Sequence, residues 1–177
     1  NKGALAFAKA PKLALESLTL SYNWMGKSGL AAILNHAGVR GLRTLRAGEN
    51  NYQEAPLEEL AKSAVRLEWL RCRDATVESV KAFCDSDAGT ELRWWTLSMV
   101  PTRTKQAAVE QALDRVIHAP KLAKLFDFQT GTCKPWPDVF GRLRRRFGHR
   151  IHSPIDTQPL LRDPPIEPRL RPGHPAG

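Results

Sequence analysis

A hydrophobic pattern recurs four times along the chain and constrains its fold more than any other feature. The pattern L-x-x-L-x-L begins at Leu15 and returns, with substitutions at some of its sites, at Leu42, Leu67 and Leu92, so that the starts lie 27, 25 and 25 residues apart. A period of this length indicates an array in which each unit contributes one strand and one helix. Because a unit buries its apolar side chains only against its neighbours, we predict a curved solenoid of at least four units.

Each pattern is followed by signals for a turn and an amphipathic helix. In the first unit, Leu18 and Leu20 alternate as a strand that points them inward. Asn23 follows at the turn, where its amide can bond to the backbone, and Ser28 is placed to cap the helix. Asn50 repeats this turn position in the second unit, whereas the third and fourth units lack it. The apolar positions of the four helices are Leu30, Ile33 and Leu34; Leu57, Leu60, Ala61 and Val65; Val77, Val80, Ala82 and Phe83; and Val109, Ala112, Leu113, Val116 and Ile117.

A fifth strand is predicted within residues 122–128, but the pattern leaves its register open. Leu122 and Leu125 fit the first two inward sites, which would bury the charge of Asp127 unless the strand bulges there. A shift of one residue avoids this cost. In that register the side chains of Ala123, Phe126 and Phe128 point inward.

The two ends of the array differ from its middle. Residues 1–14 have the helical spacing and terminating Pro11 expected at the end of a preceding unit, and we expect such a unit before them. We assign the repeats to residues 1–133 and an amphipathic helix that caps the array to residues 134–152. Residues 153–177 are rich in proline and are predicted to be disordered.

The units resemble a known repeat family. Residues 15–23 read LESLTLSYN, and with Gly26 and Gly29 after them they resemble the leucine-rich repeat of ribonuclease-inhibitor type. Residues 143–151, LRRRFGHRI, are similar to the closing segment of bacterial multi-repeat proteins of this type. The likeness spans residues 4–151. It implies an α/β horseshoe with parallel strands on its concave side, helices on its convex side, and protein partners bound mostly on the concave side.

The residues between the inward ones of each strand face solvent on the concave side. Adjacent strands lie about 4.8 Å apart, so Trp69 is predicted beside Trp94 and Arg46 beside Arg71. Trp and Arg are enriched at binding hot spots, where one side chain contributes about 2 kcal/mol or more. We predict a patch for an acidic or mixed protein partner; in the alternative interpretation, the arginines stack on the indoles and the face is only well packed. The predicted partner-binding residues are Arg46, Trp69, Arg71, Arg73, Arg93 and Trp94.

A second hypothesis is contact with a polyanion through the terminal helix. Residues 134–177 carry nine Lys or Arg against four Asp or Glu and so hold +5 of the net charge of +9. The residues concerned are Arg142, Arg144, Arg145, Arg146 and Arg150. In the alternative interpretation, they form the solvated face of a capping helix. Nucleic acid is a disfavoured partner, because no RNA-binding or helix-turn-helix motif accompanies the charge.

Other functional classes are not favoured by the sequence. The longest apolar runs fall short of the roughly 18 residues of a membrane span, and we expect a cytoplasmic protein. The cysteines lack zinc spacing, and the pair His149 and His152 lacks a nearby carboxylate or thiolate, so neither a metal nor a cofactor is expected. No catalytic arrangement is recognisable, and we predict no enzyme activity. Cys72 and Trp95 occupy inward sites and are predicted to lie in the core.

Overall fold

The computed structural model describes residues 2–10, 14–23, 25–48, 56–99, 106–130, 137–148 and 151–152, and within them strands and helices alternate. The helices are α1 (Lys2–Ala8), α2 (Lys27–Leu34), α3 (Pro56–Lys62), α4 (Val77–Asp85), α5 (Gln106–His118) and α6 (Pro137–Phe147). The strands are β1 (Ser17–Thr19), β2 (Thr44–Ala47), β3 (Trp69–Ala75), β4 (Trp94–Met99), β5 (Asp127–Thr130) and β6 (Ile151–His152). Short 3-10 turns at Ala37–Val39, Asp87–Gly89 and Pro120–Leu122 precede β2, β4 and β5. The predicted turn residue Asn50 and the predicted tail 153–177 lie outside the described residues.

The strands form one parallel sheet whose spatial order, β1 to β6, is the order of the chain. Equivalent positions of the repeated pattern are paired, so that Leu45 lies beside Leu70 and Leu70 beside Trp95. The spacing of the starts therefore sets the register between neighbouring strands. The chain is an α/β protein with an all-parallel sheet and helices, an organisation compatible with a repeat solenoid.

The hydrophobic core lies between the sheet and the helices. Along β2 and β4 every second residue is buried, because successive side chains of a strand point to opposite faces. The helices contact one another in chain order, α1 with α2 and onward to α5 with α6. The predicted core positions Cys72 and Trp95 are buried. Most predicted helix positions are buried as well: Leu30, Ile33, Leu34, Leu57, Leu60, Val65, Val80, Phe83, Val109, Ala112, Leu113, Val116 and Ile117.

The fifth strand adopts neither of the two predicted registers. Phe128 pairs with Trp95 and Thr130 with Leu97. The first inward site of the repeated pattern is therefore Leu125, whereas the two predicted registers began at Leu122 and Ala123. Leu122 belongs to the 3-10 turn before the strand, where it packs in the core. Asp127 consequently faces away from the core and is half-buried, although its carboxylate oxygen Oδ1 is withdrawn from solvent. The sequence did not reveal this shift, because α5 has 13 residues against 9 in α4 and lengthens the unit.

The helix starts differ in how they are capped. The predicted cap at Ser28 is wrong: α2 begins at Lys27, its cap position is Gly26, and no side chain caps it. Helix α4 has a reciprocal capping box, in which the backbone N–H of Ser79 donates to Thr76 at 3.1 Å and that of Thr76 donates to Ser79 Oγ at 3.0 Å. Such caps satisfy donors that have no partner within the helix, typically stabilising it by about 1 kcal/mol.

Ion pairs join successive units on the surface. Lys27 of α2 forms an ion pair with Glu58 of α3 at 2.9 Å. The 3-10 turns of two successive units are also joined by an ion pair, between Lys121 and Asp87 at 2.6 Å. Beside them, Lys124 pairs with Glu91 at 2.5 Å. Each unit therefore contributes a charge that the next unit complements. Because these pairs are exposed, each stabilises the array only weakly.

Acidification is expected to weaken this contact between the units. Hydrogen bonds from Lys121 and Lys124 lower the pKa values of Asp87 and Glu91 below their ordinary 3.8 and 4.5. A carboxylate with a lowered folded-state pKa stabilises the fold above its unfolded-state pKa and loses that contribution as pH falls through the folded value. We expect the melting temperature of the double variant D87N/E91Q to fall less than that of the wild type between pH 5 and pH 3, by a few degrees at most. Parallel curves for the two proteins would contradict this assignment.

Candidate protein-binding face

The sheet has one face on the core and one directed away from it. We call the second surface the open face. In the register of the sheet it carries two rows of side chains that run across the strands. The first row is Ser17, Thr44, Trp69, Trp94 and Asp127, and the second is Thr19, Arg46, Arg71, Thr96 and Gln129. The predicted neighbours, Trp69 with Trp94 and Arg46 with Arg71, are confirmed by this register.

The prediction that Trp69 faces solvent is wrong. Its residue is only 8% exposed, although it belongs to the outward row of the sheet. The guanidinium carbon of Arg46 lies 5.3 Å from the centroid of the indole ring, within the range of a cation–π contact. Thr44 and Trp94 flank the same indole on the neighbouring strands. Trp69 is therefore largely covered, with Arg46 over its ring, which is the packing that the interpretation with stacked arginines predicted.

Trp94 is half-buried and has an aromatic neighbour that sequence reasoning did not assign to this face. The ring of Phe126 lies 4.8 Å from that of Trp94 in an edge-on arrangement. Phe126 directly follows Leu125, as Arg93 follows Leu92, so the correct fifth register would have placed it here. Arg93 is exposed at the same border of the sheet, and its carbonyl accepts from the backbone N–H groups of Phe126 and Asp127.

Three of the predicted arginines are brought together at one cavity of about 370 Å³ on the open face. Arg46 comes from β2, and Arg71 and Arg73 come from β3. Hydroxyl-bearing residues from the first unit complete the polar lining. The remaining lining residues are Thr19, Ser21, Tyr22 and Gly48. The lining therefore combines arginine residues with hydroxyl-bearing residues, a composition suited to an anionic ligand.

Two lining residues of this cavity, Tyr22 and Gly48, were not predicted. Tyr22 has a φ of +61°, a left-handed conformation that L-residues rarely adopt, and 72% of the residue is exposed. The predicted turn residue Asn23 holds this bend, because its side-chain amide donates to the carbonyl of Ser21 at 2.9 Å. A Cβ at position 48 would lie 3.2 Å from Cβ of Arg73, so glycine lets that arginine stem lie close to β2.

The terminal helix uses two of its arginines to hold itself to the preceding unit. Arg142 forms an ion pair with Asp114 of α5, and Arg146 donates to the carbonyl of Ala119 at 2.7 Å. Arg144 and Arg145 are exposed. The last member of the predicted set, Arg150, lies outside the described residues. Arg146 is exposed as well, so the polyanion hypothesis has three surface arginines within the described part of α6, one of them hydrogen-bonded to Ala119.

Metal ligands and reactive side chains were sought in the part of the chain that the structure describes. Within it, no three His, Cys, Asp or Glu side chains group as metal ligands would. Burial raises the pKa of the Cys84 thiol to about 12, which keeps it protonated and unreactive at neutral pH. The ring of His36 bridges backbone groups, 2.9 Å from the carbonyl of Ala10 and 3.0 Å from the nitrogen of Gly38. Its position therefore indicates a structural role.

Comparison with known proteins leaves this face to be interpreted from its geometry. A scan of protein-family models gave no match for the chain, and a search of curated proteins gave no similar sequence. Among the described helices, none has the length and hydrophobicity to cross a bilayer.

Proposed function

We propose that the chain is a leucine-rich-repeat protein of ribonuclease-inhibitor type that binds an acidic protein partner on the open face of its sheet. The repeated L-x-x-L-x-L pattern, the parallel strands in chain order and the helix after each strand support this family. In such an array the open face is the concave side of a horseshoe. Its curvature would give a partner a broad surface that single loops do not provide.

The observation that carries the proposal is the convergence of Arg46, Arg71 and Arg73 at one cavity. Their side chains are half-buried, so a partner's carboxylate that reached them would be largely withdrawn from water. Charge-assisted hydrogen bonds of this kind are stronger than those between neutral groups. The rings of Trp94 and Phe126 offer an apolar contact elsewhere on the same face. Arginine beside aromatic rings is the composition of a binding hot spot.

Selection of displayed peptides tests this proposal without knowledge of the partner. We expect a random peptide library selected on the wild-type protein to yield acidic sequences. The double variant R46E/R71E should bind them at least about 30-fold more weakly, since two hot-spot arginines are reversed in charge. Binding is measured by fluorescence anisotropy of the labelled peptides. Circular dichroism and thermal melting establish that the variant is folded, and R46Q/R71Q repeats the test without introducing negative charge.

The matched control is R144E/R145E, which changes the net charge equally on α6. We expect this variant to bind the selected peptides as tightly as the wild type, after allowance for long-range electrostatics at physiological salt. Loss of binding in R144E/R145E with retention in R46E/R71E would assign binding to the terminal helix. That result would contradict the proposal and favour the polyanion hypothesis.

A further inference from the structure

We propose that the cavity between Arg46, Arg71 and Arg73 is a binding site for a phosphate monoester, carried by a phosphorylated side chain of the partner protein. This inference rests on the proposed function and specifies the group that the open face recognises. The shared chemistry is that of any phosphate monoester, and the probes below separate a phosphorylated amino acid from a nucleotide.

The positions of the three arginines concentrate positive charge in a small volume. Arg46 and Arg71 are paired in register on adjacent strands, which places their backbones about 4.8 Å apart. Arg73 lies two residues farther along β3 on the same face, and its stem packs against the backbone of Gly48. Its contact with Gly48 brings Arg73 toward β2 and the first unit. Arginines from two strands thus line one cavity of about 370 Å³.

The opposite wall of the cavity comes from the first unit and supplies hydroxyl groups. Thr19 and Ser21 lie on or beside β1, and Tyr22 follows at the left-handed bend. The backbone N–H of Tyr22 is 3.4 Å from the carbonyl of Gly48, which joins this wall to β2. A left-handed conformation in a non-glycine residue is a strained state, and such states cluster at ligand-binding sites. The bend places Tyr22 among the lining residues of the cavity.

A phosphate monoester matches this lining better than a carboxylate does. A carboxylate has one negative charge and two oxygens, whereas a phosphate monoester carries about −1.5 to −2 charges at neutral pH and three terminal oxygens. Guanidinium groups bind phosphate oxygens through paired, charge-assisted hydrogen bonds. Three arginine residues line the cavity together with Thr19 and Ser21, and a ligand with nearly two negative charges complements that positive charge better than one with a single charge. The charge of the lining therefore favours the phosphate monoester.

The pH dependence of binding distinguishes these ligands. The comparison runs from pH 5 to pH 7.5. Carboxylates ordinarily titrate below this range. The second ionisation of a phosphate monoester occurs near pH 6. Binding of the phosphate should consequently strengthen several-fold from pH 5 to pH 7.5, whereas binding of a glutamate analogue should change little.

NMR titration with small probes tests the proposal on the full chain. The probes are N-acetyl-O-phosphoserine amide, N-acetylglutamate amide and adenosine 5′-monophosphate. We expect the phosphoserine probe to bind about tenfold more tightly than the glutamate probe, with shifts at Ser21, Arg46, Gly48 and Arg71. R71Q should weaken phosphoserine binding about tenfold, because a charge-assisted pair is lost. R144Q removes the same charge from α6 and should leave binding unchanged.

A second variant tests the geometry without removing an arginine. G48V places a branched side chain where even a Cβ would lie 3.2 Å from the stem of Arg73. We expect it to displace that stem and to weaken phosphoserine binding several-fold while Arg46 and Arg71 remain present. Chemical shifts of the helices report whether the variant is folded. Wild-type affinity in folded G48V would overturn the placement of Arg73 in the site.

Each remaining outcome decides a different point. Equal affinity for the phosphoserine and glutamate probes, with both lost in R46E/R71E, would overturn the phosphate assignment and leave the proposed function in place. Tighter binding of adenosine 5′-monophosphate than of the phosphoserine probe would overturn the assignment to a protein side chain. Absence of phosphoserine binding at millimolar concentration would overturn the proposal altogether, whereas loss of peptide selection on the open face is the separate failure of the proposed function.

Discussion

Replacing Trp95 with Ala is expected to lower the free energy of unfolding by about 3–5 kcal/mol, the range for truncating a buried Trp or Phe. Trp95 is 1% exposed and lies in the middle of the sheet, between the rings of Phe83 at 5.1 Å and Phe128 at 5.6 Å. Removal of the indole leaves a cavity between these two rings, and it costs free energy because the surrounding structure of a core relaxes only partially. Urea unfolding measures the loss, and the melting temperature should fall by about 10 °C or more.

The adjacent residue provides the matched control. Trp94 has the same side chain on the opposite face of the same strand, where it is half-buried against Phe126. We expect Trp94→Ala to cost only about 1–2 kcal/mol, since the side chain already retains part of its contact with water. Equal losses for the two variants would contradict the assignment of the two indoles to opposite faces.

Trp95→Phe separates the volume of the indole from its polar group. The indole N–H of Trp95 is buried and has no hydrogen-bond acceptor among the described residues. An unsatisfied buried donor costs about 1–3 kcal/mol, which phenylalanine avoids while it retains an aromatic ring. We therefore expect Trp95→Phe to destabilise the protein by less than about 1.5 kcal/mol. A loss as large as that of Trp95→Ala would show that the second ring of the indole dominates the packing.

The units and the register of the first four strands could be predicted from sequence, because both follow from the spacing between the starts of the L-x-x-L-x-L pattern. Once Leu42, Leu67 and Leu92 are aligned, the pairing of Trp69 with Trp94 follows without further information. Parallel strands joined through helices allow little freedom, since a slip of one residue would turn every inward side chain toward solvent. Local hydrophobic pattern and long-range packing therefore specify the same arrangement in this part of the chain.

The fifth strand could not be placed, because its pattern is compatible with several frames. Leu122, Leu125, Phe126 and Phe128 are all apolar, and periodicity alone does not rank them. The pairing of Phe128 with Trp95 decides the register in the structure. That register also determines which side chains lie on the open face, since it places Phe126 beside Trp94.

The extent to which side chains on the open face are buried could not be predicted from the sequence, for a different reason. Alternation along a strand gives the direction of a side chain but not how much of it its neighbours cover. Trp69 points away from the core and is nevertheless buried, because Arg46 lies over its ring. The cavity was missed in part because Tyr22 and Gly48 act through backbone conformation and close approach, which a hydrophobic pattern does not record.

Replacing Trp69 with Ala is expected to affect stability and binding through different routes. The buried indole should account for about 3 kcal/mol of the free energy of unfolding. Its effect on binding of the selected acidic peptides should be smaller, about two- to fivefold, because the indole orients Arg46 through a cation–π contact of about 0.5–1 kcal/mol. Peptide affinity is measured at a temperature at which the variant remains folded, as established by circular dichroism.

A double-mutant cycle with Arg46→Gln determines whether Trp69 acts through Arg46. When the guanidinium is absent, the indole has no charged group to orient, so Trp69→Ala should cause no further loss of affinity in the Arg46→Gln background. If Trp69 contacted the partner directly, its loss would weaken binding by the same factor in both backgrounds. Additive effects would therefore return Trp69 to the contact surface, whereas a coupling equal to the single-variant effect would establish it as the platform that holds Arg46 toward the cavity.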